Sequence, residues 1–309
     1  MIDTPAVDFS HDAFLSFLSS HKEEVEKIYH KSPAKLARMA ASGILRGKIG
    51  VGDLLESARL KAKYRSLLSE KVLRELTKNG VECGDDYVRI FGKKFFFVPS
   101  LLEEVTSGFI PVVVLDGYSG RRFLKEDSIV IDAGANTGMF SVFAANLCPR
   151  GKIYSFEPAS ITFDILHKNA AQYPNISVYH NGLGAEPATK KLHLRKWASG
   201  TNYMEDTVME HHEDEYRDRE DIQLIAIDDF VKEHHVPRVD FIKMDTEGYE
   251  LNILKGARET IKKFSPVMAM SAYHHPNHKT ELPEYVLSIN PRYKYELRND
   301  GEEDFVFWV

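Results

Sequence analysis

A short apolar run that ends in an acid and a glycine-containing turn is the sharpest chemical feature of this sequence. Residues 130–138 read Val-Ile-Asp-Ala-Gly-Ala-Asn-Thr-Gly, and a helical pattern follows over Met139–Leu147. Such a turn lets backbone N–H groups approach a ligand, while an acid at the strand end can accept hydrogen bonds from a cation or a hydroxyl. The pattern predicts a cofactor site made of Asp132, Gly134, Ala135, Asn136 and Gly138.

The glycine spacing decides which cofactor fits this turn. A dinucleotide fingerprint has glycines at its first, third and sixth positions, whereas counting from Gly134 the later two positions hold Asn136 and Met139. A triphosphate-binding loop needs four spacers before Gly-Lys-Ser/Thr, and the nearest candidate, Gly43 to Ile49, has three spacers and no hydroxyl. The spacing therefore weakens the hypothesis of an NAD-dependent oxidoreductase and excludes hydrolysis of nucleoside triphosphates.

A second acid, Glu157, follows the next β-rich run and precedes Pro158. It lies one strand–helix–strand unit after Asp132, where an acid commonly accepts hydrogen bonds from both ribose hydroxyls. Asp132, the glycine turn and Glu157 together describe a nucleoside site without a diphosphate. S-adenosylmethionine fits this description.

A third chemical group comprises Lys243, Asp245, Glu247 and His274. The first three alternate at the end of an apolar strand, so their side chains can point to one side, and His274 follows the next strand. His274 is favoured as the base that accepts a proton from a hydroxyl, and a divalent metal held by Asp245, Glu247 and His274 is the alternative. For Lys243, an ion pair with Asp245 or Glu247 and a role in substrate binding are equally compatible with the pattern.

The elements that would position these residues alternate from about Ser128 onward. Short β-rich runs and helical stretches follow one another, which predicts a doubly wound, mostly parallel α/β sheet with sites at the carboxyl ends of its strands. The predicted strands are Ile129–Ile131, Ile153–Phe156, Ile176–Tyr179, Phe241–Met244 and Val267–Met270. A terminal antiparallel hairpin is expected from Tyr293–Leu297 and Phe305–Val309.

The predicted domain organisation has three parts. Residues 1–80 form a helical appendage that covers the core or a subunit partner or, as the alternative, caps the substrate pocket. Residues 81–127 contain a hairpin and a connecting segment, and 128–309 form the domain that carries the cofactor motifs. The hairpin is expected from Tyr87–Ile90 and Phe95–Val98 around a turn at Gly92. The acidic segment 205–220 is compatible with a solvated helix or a loop. The appendage makes a homo-oligomer one expectation.

Composition narrows the functional class of this 309-residue chain. The 46 acidic residues exceed the 40 basic ones, giving a formal charge of −6, which argues against a generic nucleic-acid binder. Two cysteines exclude a disulfide framework. Because no signal peptide is evident and the apolar runs are far shorter than the roughly 20 residues that cross a bilayer, we expect a cytoplasmic protein without a membrane span.

The motifs together resemble the FkbM-like family of S-adenosylmethionine-dependent methyltransferases. The similarity covers roughly residues 85–298, and the Lys-x-Asp-x-Glu-Gly-x-Glu block is its most specific part. The residues that carry it are 130–138, 156–158, Asp240–Glu250, Leu254–Ala257 and Ser271–His274.

The resemblance implies a seven-stranded, Rossmann-like methyltransferase core. In this fold the glycine turn holds the methionine end of the cofactor, Glu157 holds the ribose, and Asn181 and Leu183 lie near the adenine. It further implies methyl transfer to a hydroxyl of a sugar, glycan or small metabolite by in-line displacement. A catalytically idle binding or assembly module is the alternative, and an NAD-dependent oxidoreductase is less favoured.

Overall fold

The computed structural model describes residues 84, 86–97, 112–113, 116–195, 202–204, 216–298 and 303–309. The chain divides into two compact units, Met1–Ser107 and Gly108–Val309. Within the first unit, β1 (Tyr87–Ile90) and β2 (Lys93–Phe96) form an antiparallel hairpin. The hairpin was predicted, but its second strand begins two residues earlier, because Phe91 and Gly92, both at positive φ, make the turn. The predicted helical appendage lies outside the described residues.

The second unit is organised by a seven-stranded sheet. Its order is β12-β13-β11-β10-β3-β4-β5, and β13 runs in the direction opposite to the other six strands. The strands are β3 (Ile129–Ala133), β4 (Lys152–Phe156), β5 (Ile176–Tyr179), β10 (Phe241–Met244), β11 (Val267–Ser271), β12 (Lys294–Arg298) and β13 (Asp304–Trp308). The predicted parallel α/β sheet and the terminal hairpin are thereby confirmed, with strand ends shifted by two residues at most.

Helices connect the parallel strands. The two helices that follow β3 and β4 contact each other. The helices that flank β10 and β11 contact one another and form a second group. Right-handed crossovers in opposite directions from β3 and β10 place the two groups on opposite faces of the sheet. The helices are α1 (Gly120–Phe123), α2 (Met139–Leu147), α3 (Ser160–Ala170), α4 (Ile227–Glu233), α5 (Glu250–Lys255), α6 (Arg258–Phe264) and α7 (His278–Ile289). The prediction for Met139–Leu147 is confirmed in full.

A smaller four-stranded sheet is inserted between β5 and β10. Its order is β6-β9-β7-β8, in which β6 and β9 are parallel and the other pairs antiparallel. The strands are β6 (Gly182–Leu183), β7 (Ala188–Arg195), β8 (Tyr203–Met204) and β9 (Tyr216–Ile225). The interpretation of 205–220 as a helix or loop was wrong from Tyr216 onward, because pairing with β7 draws this polar stretch into a strand. Residues 205–215 lie outside the described residues.

The central strands β3 and β10 are buried along almost their whole length. Burial on both faces explains why their sequences are continuous apolar runs rather than alternating ones. The core also joins the two sheets, since Leu192, Ile222 and Leu224 of the smaller sheet pack in one cluster with Phe156 and Phe230. Across the described part of the chain, no helix combines the length and apolar character needed to cross a membrane.

Candidate active site

The candidate site lies where the sheet changes its winding direction. β3 and β10 are adjacent and parallel, with Lys243 opposite Asp132 and Met244 opposite Ala133. After β3 the chain continues toward one edge of the sheet, and after β10 it continues toward the other. Ligands of open α/β sheets bind in the crevice outside such a switch point. We call this region, formed by the carboxyl ends of β3, β4, β10 and β11, the strand-end edge.

The glycine turn after β3 is shaped by its neighbours. Gly134, Asn136 and Gly138 all have positive φ. A Cβ added at Gly134 would overlap the carbonyl oxygen of Asp245, so glycine is needed there for the turn to pass the end of β10. The turn and the loop carrying Asp245 are therefore in direct backbone contact.

Asp132 and Lys243 form a buried ion pair beneath this turn. Lys243 Nζ lies 3.2 Å from Asp132 Oδ1 and donates a 2.7 Å hydrogen bond to the carbonyl of Gly134, while Ser141 donates to Asp132 Oδ2 at 2.6 Å. Burial lowers the pKa of Lys243, but the carboxylates of Asp132 and Asp245 outweigh it and hold that pKa above its usual value. The closest ionic partner of Lys243 is thus Asp132, rather than Asp245 or Glu247 as the sequence suggested.

Glu157 is fixed beside the glycine turn by three donors. Its carboxylate accepts hydrogen bonds from Asn136 N (2.8 Å), Ala159 N (3.0 Å) and Thr162 Oγ1 (2.9 Å). Burial raises its pKa above the usual value, and these hydrogen bonds only partly offset that rise. A carboxylate oriented in this way, with unused lone pairs, suits the hydroxyls of a ribose.

The two residues expected near the adenine differ in their surroundings. Leu183 is buried in the hydrophobic core, so a contact with a cofactor would rest on its backbone. Asn181 is partly exposed, and its amide nitrogen lies 3.5 Å from the carbonyl oxygen of Gln223. Their assignment to cofactor binding stays a prediction.

Asp245, Glu247 and His274 do come together at the strand-end edge. His274 Nε2 lies 3.7 Å from Asp245 Oδ1 and 3.6 Å from Glu247 Oε2, and one ligand atom of each residue lies within 4.8 Å of the others. The imidazole is buried, whereas the two carboxylates are partly exposed. This cluster has the composition of a proton-transfer site or of a metal site, as the sequence predicted.

Glu250, at the start of α5, holds the other side of the imidazole. Its Oε1 lies 3.1 Å from His274 Nδ1, and its Oε2 lies 3.4 Å from His278 Nδ1. The carboxyl group of Glu250 is fully buried, yet its hydrogen bond and charge interaction with His274 lower its pKa to about 2.

The protonation of His274 bears on its assignment as a base. Burial lowers its pKa, but the charges of Glu247, Glu250 and Asp245 outweigh that effect and raise the pKa well above 6.5. A doubly protonated imidazole cannot accept a further proton. The base role therefore stays a prediction and requires the neutral form of the ring.

Two hydroxyls that sequence reasoning missed orient Asp245. Tyr118 donates to Asp245 Oδ2 at 2.8 Å, and Ser271 Oγ lies 3.1 Å from Asp245 Oδ1 and from Asp304 Oδ1. Ser271 ends β11 at the strand-end edge, a position that could have signalled its role. Tyr118 lies in an irregular segment before β3, where no pattern in the sequence pointed to it.

The sequence matches a family model described as the methyltransferase FkbM domain over residues 132–297, more than half of the chain. The chain is also similar to three curated relatives. Methyltransferase sdnD of Sordaria araneosa is 26% identical to it over 44% of this chain and 62% of the relative. Hexuronic acid methyltransferase AglP of Haloferax volcanii is 25% identical over 47% of this chain and 56% of the relative, and 31-O-demethyl-FK506 methyltransferase FkbM of Streptomyces tacrolimicus is 24% identical over 44% of this chain and 62% of the relative. The matched part spans about 60% of the length of these relatives.

Proposed function

The chain belongs to the FkbM methyltransferase family, and from this membership we propose that it transfers a methyl group from S-adenosylmethionine to a hydroxyl oxygen of a sugar, glycan or small metabolite. One observation carries the proposal. The acids Asp132, Glu157 and Asp245 end or follow three neighbouring parallel strands around one glycine turn at the switch point. This arrangement combines a nucleoside site with an adjacent carboxylate cluster.

The proposed cofactor site is built mainly from backbone and carboxylate groups. The turn would hold the methionine end, Glu157 the ribose hydroxyls, and Asp245 would face the sulfonium, whose positive charge a carboxylate stabilises. Asp132 would support the cofactor site without touching the cofactor, because its carboxylate is buried against Lys243 and Ser141. The proposed cofactor-binding residues are Asp132, Gly134, Ala135, Asn136, Gly138, Glu157, Asn181, Leu183 and Asp245. When bound, the cofactor supplies an electrophilic methyl group on sulfur.

The acceptor hydroxyl is proposed to bind at Asp245 and Glu247. Their partly exposed carboxylates can accept its hydrogen bond and align its oxygen with the methyl group, and such alignment lowers the entropic part of the barrier. Bound S-adenosylmethionine would supply the methyl group to this oxygen and would leave as S-adenosylhomocysteine. The hydroxyl proton passes to this cluster, with neutral His274 as its acceptor. Lys243 positions the glycine turn through its hydrogen bond to the carbonyl of Gly134.

The names of two relatives support the acceptor class. One name includes a 31-O-demethyl compound, which fits methyl transfer to a hydroxyl oxygen, and the other includes a hexuronic acid, which fits a sugar acceptor. The net acidic charge of the chain also suits a cationic cofactor better than a polyanionic partner.

Calorimetric titration with S-adenosylhomocysteine tests the proposal. We expect one site in the wild type and at least about tenfold weaker binding in Glu157→Gln, because the amide offers only one acceptor oxygen to the ribose. Asp164→Asn, an exposed acid on α3, serves as the matched control and should bind like the wild type. Absence of binding, or equal binding by Glu157→Gln, would overturn the proposed cofactor site. Thermal stabilisation by NAD instead would favour the oxidoreductase alternative.

A further inference from the structure

We propose that Asp245, Glu247 and His274 form a divalent-cation site, in which Glu250 acts as the positioning residue for His274. The proposal deepens the function given above, on which its catalytic meaning rests; binding of the metal does not depend on that function. In it, a bound cation would lower the pKa of a coordinated acceptor hydroxyl, whose proton would pass to solvent, and His274 would act as a ligand instead of as the base of the preceding mechanism.

The distances within the cluster suit a shared ion better than direct pairing. At 3.6 and 3.7 Å, His274 Nε2 is too far from Glu247 Oε2 and Asp245 Oδ1 for hydrogen bonds. Metal bonds to nitrogen and carboxylate oxygen are about 2.1 Å long, so two ligand atoms on one ion lie at most about 4.2 Å apart. Both separations from His274 Nε2 fall within this limit, and the ligand atoms of all three residues lie within 4.8 Å of one another.

The orientation of His274 is a separate observation that points to a ligand. Its side chain is only 3% exposed, its Nδ1 lies 3.1 Å from Glu250 Oε1, and its Nε2 points to the other side, 3.7 Å from Asp245 Oδ1 and 3.6 Å from Glu247 Oε2. Metal-binding histidines almost always donate their other N–H to a carboxylate or carbonyl, which fixes the ring and its tautomer. Glu250, fully buried and held by Thr246 N at 2.9 Å, is placed for that task.

Asp245 is oriented in a comparable way. The hydroxyls of Tyr118 and Ser271 contact its two oxygens at 2.8 and 3.1 Å, which limits rotation of the carboxylate. Hydrogen bonds of this kind are typical of carboxylates that bind metals.

The charge balance of the cluster favours a cation. Asp245, Glu247 and Glu250 all lie 3.1 to 3.7 Å from the His274 imidazole, and Glu250 is fully buried whereas Asp245 and Glu247 are 28% and 16% exposed. A cation between Asp245 and Glu247 would be attracted by both of their carboxylates. A mixed set of two carboxylates and one imidazole suits Mn²⁺ or Zn²⁺, and three protein ligands leave positions for an acceptor hydroxyl and a neighbouring oxygen.

Electron paramagnetic resonance of Mn²⁺ titrated into the full chain tests the site without requiring activity. We expect one site per chain in the wild type, with Zn²⁺ and Mg²⁺ as competitors. Glu247→Gln and His274→Gln should weaken Mn²⁺ binding at least about tenfold, and Glu250→Gln by about 10- to 100-fold, with a changed Mn²⁺ spectrum. Glu284→Gln, an exposed acid on α7, is the control that should bind like the wild type.

Titration of the same samples with S-adenosylhomocysteine separates this proposal from the proposed function. Retained S-adenosylhomocysteine binding shows that Glu247→Gln is folded and that its loss of Mn²⁺ is local. If the wild type binds Mn²⁺ no better than Glu247→Gln, the metal site is wrong, while binding of S-adenosylhomocysteine leaves the cofactor proposal standing. Tight Mn²⁺ binding without S-adenosylhomocysteine binding would support the metal site and overturn the cofactor proposal.

Discussion

Single residues of this site depend strongly on their charged neighbours, as the pair formed by Lys243 and Asp132 illustrates. Removing the cation in Lys243→Met leaves the Asp132 carboxylate buried with Ser141 as its hydrogen-bond donor. We expect a loss of about 3–5 kcal/mol in the free energy of unfolding at neutral pH. Urea denaturation followed by circular dichroism measures it.

The double variant Asp132→Asn/Lys243→Met supplies the control for this prediction. It removes both charges, so its loss should be clearly smaller than the sum of the two single losses. Strict additivity would show that the two side chains do not interact as the 3.2 Å separation indicates.

We expect Glu157 to make binding of the proposed cofactor dependent on pH. The proposed role requires an ionised carboxylate, and burial raises the pKa of Glu157 above 4.5. As the pH falls through this raised pKa, protonation should weaken binding of S-adenosylhomocysteine, by up to about tenfold per pH unit for one proton. Calorimetry between pH 7 and pH 4.5, with circular dichroism to confirm folding, measures the effect. Glu157→Gln should show a flat profile, and a sloping one would assign the dependence to another group.

Sequence reasoning identified the candidate-site residues that follow strands and missed those held there by tertiary contacts. Asp132, Glu157 and Asp245 were predictable because strand ends in a parallel sheet converge. Tyr118 was not predictable, since it reaches Asp245 from an irregular segment more than a hundred residues away in the chain. The role of Glu250 depends on a buried contact with His274 that spacing does not reveal.

At the level of elements, the turn after β3 is restricted by the loop that follows β10. Gly134→Ala would place Cβ against the Asp245 carbonyl at a positive φ, so both backbone strain and overlap oppose it. We expect a loss of about 2–4 kcal/mol in the free energy of unfolding. Gly138→Ala is the matched comparison, because its Cβ meets only the end of the Leu166 side chain, at 2.8 Å, and this can shift. Urea denaturation should show the smaller loss for Gly138→Ala, and the reverse order would contradict the packing described.

The elements were predicted best where burial dominates the sequence pattern. β3, β10 and α2 have apolar patterns that match their burial, and their positions were predicted to within two residues. β9 was missed because a polar strand resembles a solvated helix or loop, and only its pairing with β7 makes it a strand. Pairing partners distant in sequence leave no local periodicity.

At the scale of the whole second unit, Phe230 on α4 links the two sheets. Its ring contacts those of Tyr154, Phe156 and Tyr179, with centroids 4.9 to 5.2 Å away, and it packs in the cluster shared with Leu192 and Leu224. Phe230→Ala should therefore cost about 3–5 kcal/mol. Differential scanning calorimetry measures the loss. Phe163→Ala, on the partly exposed side of α3, should cost less, and an equal cost would argue against this central position.

The contact between Gly134 and Asp245 also has a thermodynamic meaning. Lys243 donates a hydrogen bond to the carbonyl of Gly134, and Asp245 follows Lys243 by two residues, so the proposed cofactor turn and the proposed acceptor acids rest on one strand end. Because the turn and the loop carrying Asp245 are in backbone contact, we expect a shift of one to displace the other. Binding of cofactor and acceptor should then be linked, with each changing the affinity for the other by the same factor.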